Sequence, residues 1–345
     1  MTVQTSQSFS NQIRNYDYDQ IQKVQYSRSA TNIVPNPYTD NSSSGGFSTN
    51  VTAVGPESQT PTTLTSDVYL TSVSAIACTD TSEITIPLTT FDPWWQVIDS
   101  DVASNGSLTS DVPAGNYFGL PGGGGYPGVS SYSTSTNLTN TTASQIGWLT
   151  QSSGSSTKIF GYDYFSKQIP SSIVPTQLAS SSITGANFNS SPQSDGYEWY
   201  KYTGPTDLSI DGNIDLGGDR VILLIENANL NINGRINLAD GQGFFVVIVE
   251  GNININPGVG GSAADLEGIY LADGAVLTGT TGLANDAALH VRGSIAAYGG
   301  ITMQRDLGTS NGTTPAELFE YAPDQILLFP TKLGYRRINW KEVAP

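Results

Sequence analysis

The sequence predicts an all-β protein whose C-terminal half is a parallel β-solenoid, a β-helix-like coil of stacked turns. The first observation behind this is a repeated phrase. Residues 208–216 read LSIDGNIDL, residues 230–238 read LNINGRINL and residues 289–297 read LHVRGSIAA. Each sets apolar residues at alternate positions around a central glycine, Gly212, Gly234 or Gly293. Alternation with period two marks a strand with one buried and one wet face, and the shared glycine marks a corner or bulge. The second observation is spacing: the first two copies lie 22 residues apart. A strand repeat of that length buries its inner face only by stacking on the next copy. The third is that VILLI (221–225) and FFVVIV (244–249) do not alternate. A strand apolar on both faces is buried on both, so one wall is expected to be covered, by the 67–206 region or by the C-terminal tail.

The elements follow in order. Residues 1–66, rich in Ser, Thr, Gln, Asn and Pro, are expected as an extended or disordered N-terminal arm. Within it YDYDQIQKVQYSRS (16–29) lacks Gly and Pro and is able to add a strand to a neighbouring subunit. Residues 67–206 mix alternating stretches with aromatic clusters and turn signals, and are expected to be irregular, β-rich and loop-rich. Residues 207–306 form the solenoid, with 253–255 and 266–279 as further rungs. Residues 307–345 form a capping tail with a short helix near 315–321, because Thr314, Pro315 and Glu317 stand as N-cap, first helical residue and capping-box partner. Such a helix would cover an open solenoid end, which otherwise invites edge pairing.

Composition narrows the function. Hydrophobic residues make up 37% of the 345 and charged residues only 13%, so the wet surface is built from Ser, Thr, Asn, Gln and Gly, as in many exported β-rich proteins. The net charge is −16, and no basic stripe offsets it, which argues against nucleic acid as a partner. The longest apolar runs are far too short for a membrane span. Cys78 is the only cysteine, so an intramolecular disulfide and a cysteine zinc cluster are excluded. The opening MTVQTSQSFSNQ has no secretion signal. With an exported composition, this leads us to expect a mature form or fragment of a longer precursor, placed outside the cell or on its surface.

Candidate chemistry is sparse. His290 is the only histidine and alternation turns it outward, so a histidine triad or a two-histidine metal site cannot form within one chain. Ser155 and Lys158 have the S-x-x-K spacing of serine acyl-enzymes, but lie in Ser-rich sequence with no partner motif. Asp211, Asn213 and Asp215 start like a calcium loop, yet Leu216 and Ile222 stand where glycine and glutamate are required. A weak Ca2+ site around Asp211, Asp215 and Asp219 stays open beside the simpler reading of wet-face carboxylates. The glycine-rich GLPGGGGYPG (119–128) has no phosphate-loop lysine. Trp94, Trp95, Tyr197 and Trp199 are the candidate glycan contacts, since aromatic faces stack on sugar rings; the alternative, packing against the solenoid, is favoured on area. In GYEWYKYTG, Tyr197 and Trp199 fall on one strand face and Tyr200 and Tyr202 on the other. Seven Asn-x-Ser/Thr sequons occur, at Asn41, Asn50, Asn105, Asn137, Asn140, Asn189 and Asn311.

The run from DLSIDGNIDLGGDRVILLIENANLNINGRINLADGQGFFVVIVEGNI through LHVRGSIAAYGG to QRDLGTSNGTTPAELFEYAPD resembles a C-terminal module of uncharacterised exported or surface proteins of candidate-phylum bacteria. The resemblance covers about residues 87–345, and RDLG…TTPAELF is its most specific phrase. It implies surface display, and no activity or catalytic residues. The sequence therefore leads to a non-catalytic extracellular or cell-surface structural protein, a self-assembling subunit of a filament or layer, or an adhesin. Its partners would be further copies of itself, or surface glycans and proteins. A glycan-binding module is the alternative, and a polysaccharide-degrading β-helix enzyme stands third.

Overall fold

The computed structural model describes residues 91–123, 128–138, 160–261 and 264–334 in full, together with the backbone of strands within 7–84 and at 149–151. The chain divides into two compact units, Met1–Phe91 and Asp92–Pro345. The first carries two antiparallel sheets. Phe47–Ala53 lies between Gln7–Asn11 and Ile33–Asn36 in one; Ile21–Arg28 lies between Thr39–Asp40 and Thr62–Leu70 in the other, with Ile76–Ile84 beyond. Strands occur within residues 1–66, and the first unit ends at Phe91. The segment expected to pair with a neighbour already has a strand partner on each edge.

The second unit is a parallel β-solenoid of about eight turns. Wall A runs in register through Glu198–Thr203, Arg220–Glu226, Phe244–Val249, 269–272 and 294–297. Wall B runs through Leu208–Ile210, Leu230–Ile232, Ile253–Ile255, Val276–Leu277 and Ile301–Thr302. Wall C stacks Ile214 on Ile236, Leu266 and Val291. The coil is longer than the expected 207–306, because Thr176–Gln177 and Ser182–Ile183 begin it on walls A and B. It also continues beyond residue 306 in an unexpected way. Glu317–Glu320 pairs with 289–292, and Trp95–Ile98 pairs with Glu317–Glu320. The segment that opens this unit thus returns to stack on the end of the coil, followed by Gly119–Leu120.

The repeated phrase explains the inner core. Leu208, Leu230, Ile253 and Val276 occupy one column and are 0% exposed; each contributes about 1.5–3 kcal/mol by leaving water. The double-sided strands of wall A behave as their composition requires. Leu223 and Val247 face the lumen, whereas Ile222, Leu224, Phe244, Val246 and Ile248 face outward beneath a cover. That cover comes from both expected sources: Tyr162 and Phe165 of helix α1 (Tyr162–Gln168) with Ile173, and Leu328, Phe329 and Leu333 of the tail.

Polar positions stack too. The Asn229 N–H and Nδ2 donate to Asp207, the Asn252 N–H donates to the Asn229 amide oxygen, and Ala275 N–H donates to Asn252. A second column joins Asp211, Asn233 and Asn256, and Asn254 Nδ2 donates to Asn231. Asparagine is frequent in the repeat because one side chain both donates and accepts, so a column of them satisfies successive turns.

The third phrase sits differently. Residues 289–297 form one continuous strand spanning walls C and A, so it is offset from the first two by part of a turn. The expected helix at 315–321 is absent: Glu317–Glu320 is a strand, and helix α2 spans Pro323–Leu327. Strand pairing on both sides outweighs the local capping signal, and Glu317 is drawn inward instead of back to Thr314. Helix α2 lies on the flank of the coil, where Gln325 Nε2 donates to the Gly243 carbonyl.

Candidate binding cleft

The coil repeats wall C, wall A, wall B along the chain, and one turn breaks that order. After Glu317–Glu320 on wall C the chain leaves through Tyr321 and Ala322 into α2, supplying no strand to wall A or wall B. On the next turn the order resumes with Trp95–Ile98, Val102–Ser104 and Leu108–Ser110. Among the described residues, wall C therefore runs through without a break, while walls A and B lack one rung. Burial records the break. In the wall A column Leu223, Val247 and Tyr270 are at most 2% exposed, but Ile295 is only partly buried. In the wall B column Ile301 rises to 39% exposed.

The missing rung leaves a cleft of about 500 Å3. Its floor is apolar, with Val97, Val291 and Phe319 of wall C. Ile295 and Ile301 line one side, Val102 and Ala103 the other, and Trp95, Tyr321 and Met303 complete it. Asp99, Ser100 and Asp101 form the rim. The Gly122 N–H donates to Asp99 and the Val129 N–H to Asp101, which fixes both carboxylates. Ser100 Oγ donates to the Ile98 and Phe319 carbonyls across the two turns.

A buried charged knot holds the turns beneath the cleft. Arg305 is 1% exposed, and its guanidinium donates to the carbonyls of Asn256, Val259, Thr278 and Ala287. Glu317, also 1% exposed, accepts from Thr278 Oγ1 and from the Gln304 and Arg305 N–H groups through one oxygen. Burial pushes the Glu317 carboxyl above its usual range, although these donors pull it back, and burial lowers Arg305. Asp306 Oδ1 accepts from the Gly308 N–H and from Asn311 Nδ2. The RDLG…TTPAELF phrase is thus the sequence of this knot.

A second polar cluster lies on the outer side of wall C. His290 Nε2 is 3.0 Å from Glu320, and Arg235 pairs with the fully buried Asp265 at 3.3 Å. Arg292 reaches Glu267, Asp324 and Asp240. Burial would raise Asp324, yet the Gly241 N–H and Arg292 hold it below the usual carboxylate range.

The candidate residues from the sequence scatter. Trp94 is 2% exposed and donates its indole N–H to the Asn311 carbonyl; Trp199 is 0% exposed and donates to Asp195. Tyr197 packs on Phe244 and donates to the Leu328 carbonyl. Trp95 alone of the four lines the cleft. Six strand spacings of about 4.8 Å, roughly 29 Å in all, separate the Trp94/Trp95 turn from the Tyr197/Trp199 turn. Trp94, Trp199 and Tyr197 are thus used in packing, the reading favoured on area, because burying these rings stabilises more than leaving them wet. Tyr200 and Tyr202 point into the lumen, opposite Trp199, as alternation requires.

Asp211 is held by Ser182 Oγ and Asn233, which lower its pKa, and Asp215 accepts the Gly217 N–H. Among the described residues no group of three metal-ligating side chains comes together, including Asp211, Asp215 and Asp219. The sequon at Asn311 is buried in the knot. Ser155 and Lys158 lie outside the described residues. No helix among the described residues is long and apolar enough to cross a membrane. Sequence reading missed the cleft and the Arg305 knot; the signal for the knot was a glutamate, Glu317, at an inward strand position of a low-charge chain. No family model, curated protein or solved structure matches this chain.

Proposed function

We propose that this chain is a non-catalytic structural subunit or adhesin that works outside the cell or on its surface. The observation that carries this reading is the use made of its buried charges: Arg305, Glu317, Asp265 and Glu267 are all engaged in joining one turn to another. Groups spent in this way stiffen a rod. The low-charge Asn/Ser/Thr surface, the stacked polar columns and the resemblance of residues 87–345 to exported modules support the same reading. A glycan-binding role keeps one of its four aromatic groups, Trp95, at the cleft. Negative-stain microscopy of the purified chain tests the proposal. Regular filaments or sheets are expected; isolated particles at every concentration, with a glycan array giving Trp95-dependent hits, would replace it by the glycan reading.

A further inference from the structure

Independently of the self-assembly reading, we propose that the rim where helix α1 meets wall A is a site for a primary alkylammonium group, held by Glu226, Glu250 and Tyr162. Alternation sets out the row. On the outer face of wall A, Ile222 and Leu224 lead to Glu226, and Val246 and Ile248 lead to Glu250. The next rung follows suit, with Ile269 and Leu271 leading to Asp273. The apolar members belong to the cluster that α1 and the tail cover, and the acids stand at its edge. Register holds through them, because the Glu250 N–H donates to the Ile225 carbonyl and the Asp273 N–H to the Val249 carbonyl. Neighbouring acids therefore project from backbones roughly 4.8 Å apart.

One oxygen of each acid is already engaged. Glu226 Oε2 accepts from Lys201 Nζ and Thr203 Oγ1, both at 3.0 Å, and Glu250 Oε2 accepts the Asn227 N–H at 2.8 Å. Asp273 Oδ1 accepts the Tyr162 N–H at 3.0 Å, which pins the start of α1 beside the row. Glu250 is exposed and has no cation partner among the described residues. The Tyr162 side chain is 2% exposed, and its hydroxyl meets no hydrogen-bonding partner among the described residues. Burial, and then the Glu226 and Glu250 carboxylates beside it, hold its pKa well above the ordinary value, so the hydroxyl stays neutral with lone pairs to offer. A buried polar group left unpaired costs stability, and a donor arriving at this point relieves that cost.

Three acceptors select the guest. A primary ammonium carries three N–H donors and no acceptor. Placed about 2.9 Å from each oxygen, it bridges the second oxygens of two carboxylates one rung apart and reaches Tyr162 Oη with its third N–H. Lys201 displays the same pairing on the neighbouring strand, its ammonium 3.0 Å from Glu226. A quaternary ammonium has no N–H to give, and a planar guanidinium favours one carboxylate in bidentate fashion. A calcium ion takes roughly six to eight oxygens, and no three metal-ligating side chains come together among the described residues. Glu250 is the exposed wall, so the guest enters as its side chain turns aside.

Lysine side chains and free polyamines both present this group, and titration calorimetry on the whole chain separates them. Putrescine and a single lysine capped at both ends are titrated at neutral pH, with tetramethylammonium and Ca2+ as comparison ions. Both amines are expected to bind, and both comparison ions to bind more weakly than either. Tighter putrescine assigns the site to a free polyamine; equal or tighter lysine assigns it to a lysine side chain. Glu250→Gln and Tyr162→Phe should each weaken both amines on the order of tenfold, the loss of one hydrogen bond to a charged group. Tyr162→Phe removes the unpaired hydroxyl, so the melting temperature of the amine-free chain should hold or rise, which separates lost binding from lost folding. No heat from either amine, affinities untouched by both variants, or a comparison ion binding as tightly as the amines would overturn the site. None of these outcomes touches the filament test, because no contact between copies enters the site.

Discussion

Arg305 carries the largest single-residue expectation. Four carbonyls from two loops converge on it at 1% exposure, and replacing it removes this donor from Val259, Thr278 and Ala287, while Asn256 keeps the Val259 N–H. Arg305→Leu is expected to cost about 3–5 kcal/mol, read as a lower denaturant midpoint; a loss under about 1 kcal/mol would contradict the knot. Two carboxyls, Asp324 beside Arg292 and Glu317 in the knot, respond to pH in opposite directions. Asp324 is held below its ordinary range, so its contribution is present above about pH 4 and is lost as pH falls through its folded value. Asp324→Asn is expected to cost about 1–2 kcal/mol at neutral pH, with the gap to wild type closing in acid. Glu317 is raised by burial, so the folded state favours its protonated form. That contribution is present below about pH 4 and lost as pH rises through the folded value. In Glu317→Gln, denaturant midpoints measured from pH 4 to 7 should therefore decline less than in wild type.

At the level of elements, the repeated phrases were fully legible where inner packing alone decides structure. Alternation located walls B and C, and the uninterrupted apolar runs announced wall A, the covered wall. The central glycines were legible as corners, but for two distinct reasons. Gly212 has φ +77° with open space around it, whereas a Cβ on Gly234 would lie 2.0 Å from the Gly212 carbonyl oxygen. Gly212→Ala should cost about 1–2 kcal/mol from backbone conformation alone. Gly234→Ala carries no such backbone cost but must push two stacked turns apart and should cost more; equal midpoints in a thermal melt would contradict the stacking. The capping box at Thr314–Glu317 misled because it is a four-residue signal. Partners on both flanks, Leu289–Arg292 and Trp95–Ile98, are supplied from distant sequence and make the strand. The four aromatic candidates were legible as residue types but not as positions, since sequence does not say that Trp94 meets Asn311.

At the scale of the second unit, the decisive feature is that its opening strand stacks on Glu317–Glu320 near its end. The Trp95–Ile98 strand continues wall C after Glu317–Glu320, and no local pattern announces a contact across more than two hundred residues. The same closure creates the cleft, because the tail departs after one wall of its turn. Among the described residues walls A and B each lack one rung, and the end strands Thr176–Gln177 and Gly119–Leu120 are open edges too. The proposed self-assembly therefore has several places at which to receive another chain, of which the cleft is the one that Ile295 lines. Light scattering over a protein concentration series, on wild type and on Ile295→Asp side by side, tests this most directly. The expected result is a wild-type mass that climbs well above that of one chain as concentration rises, while the variant, with a carboxylate on one side of the cleft, stays at the mass of one chain and keeps its β-type dichroism. A wild-type mass fixed at one chain across the series, or assembly unaffected by Ile295→Asp, would contradict it.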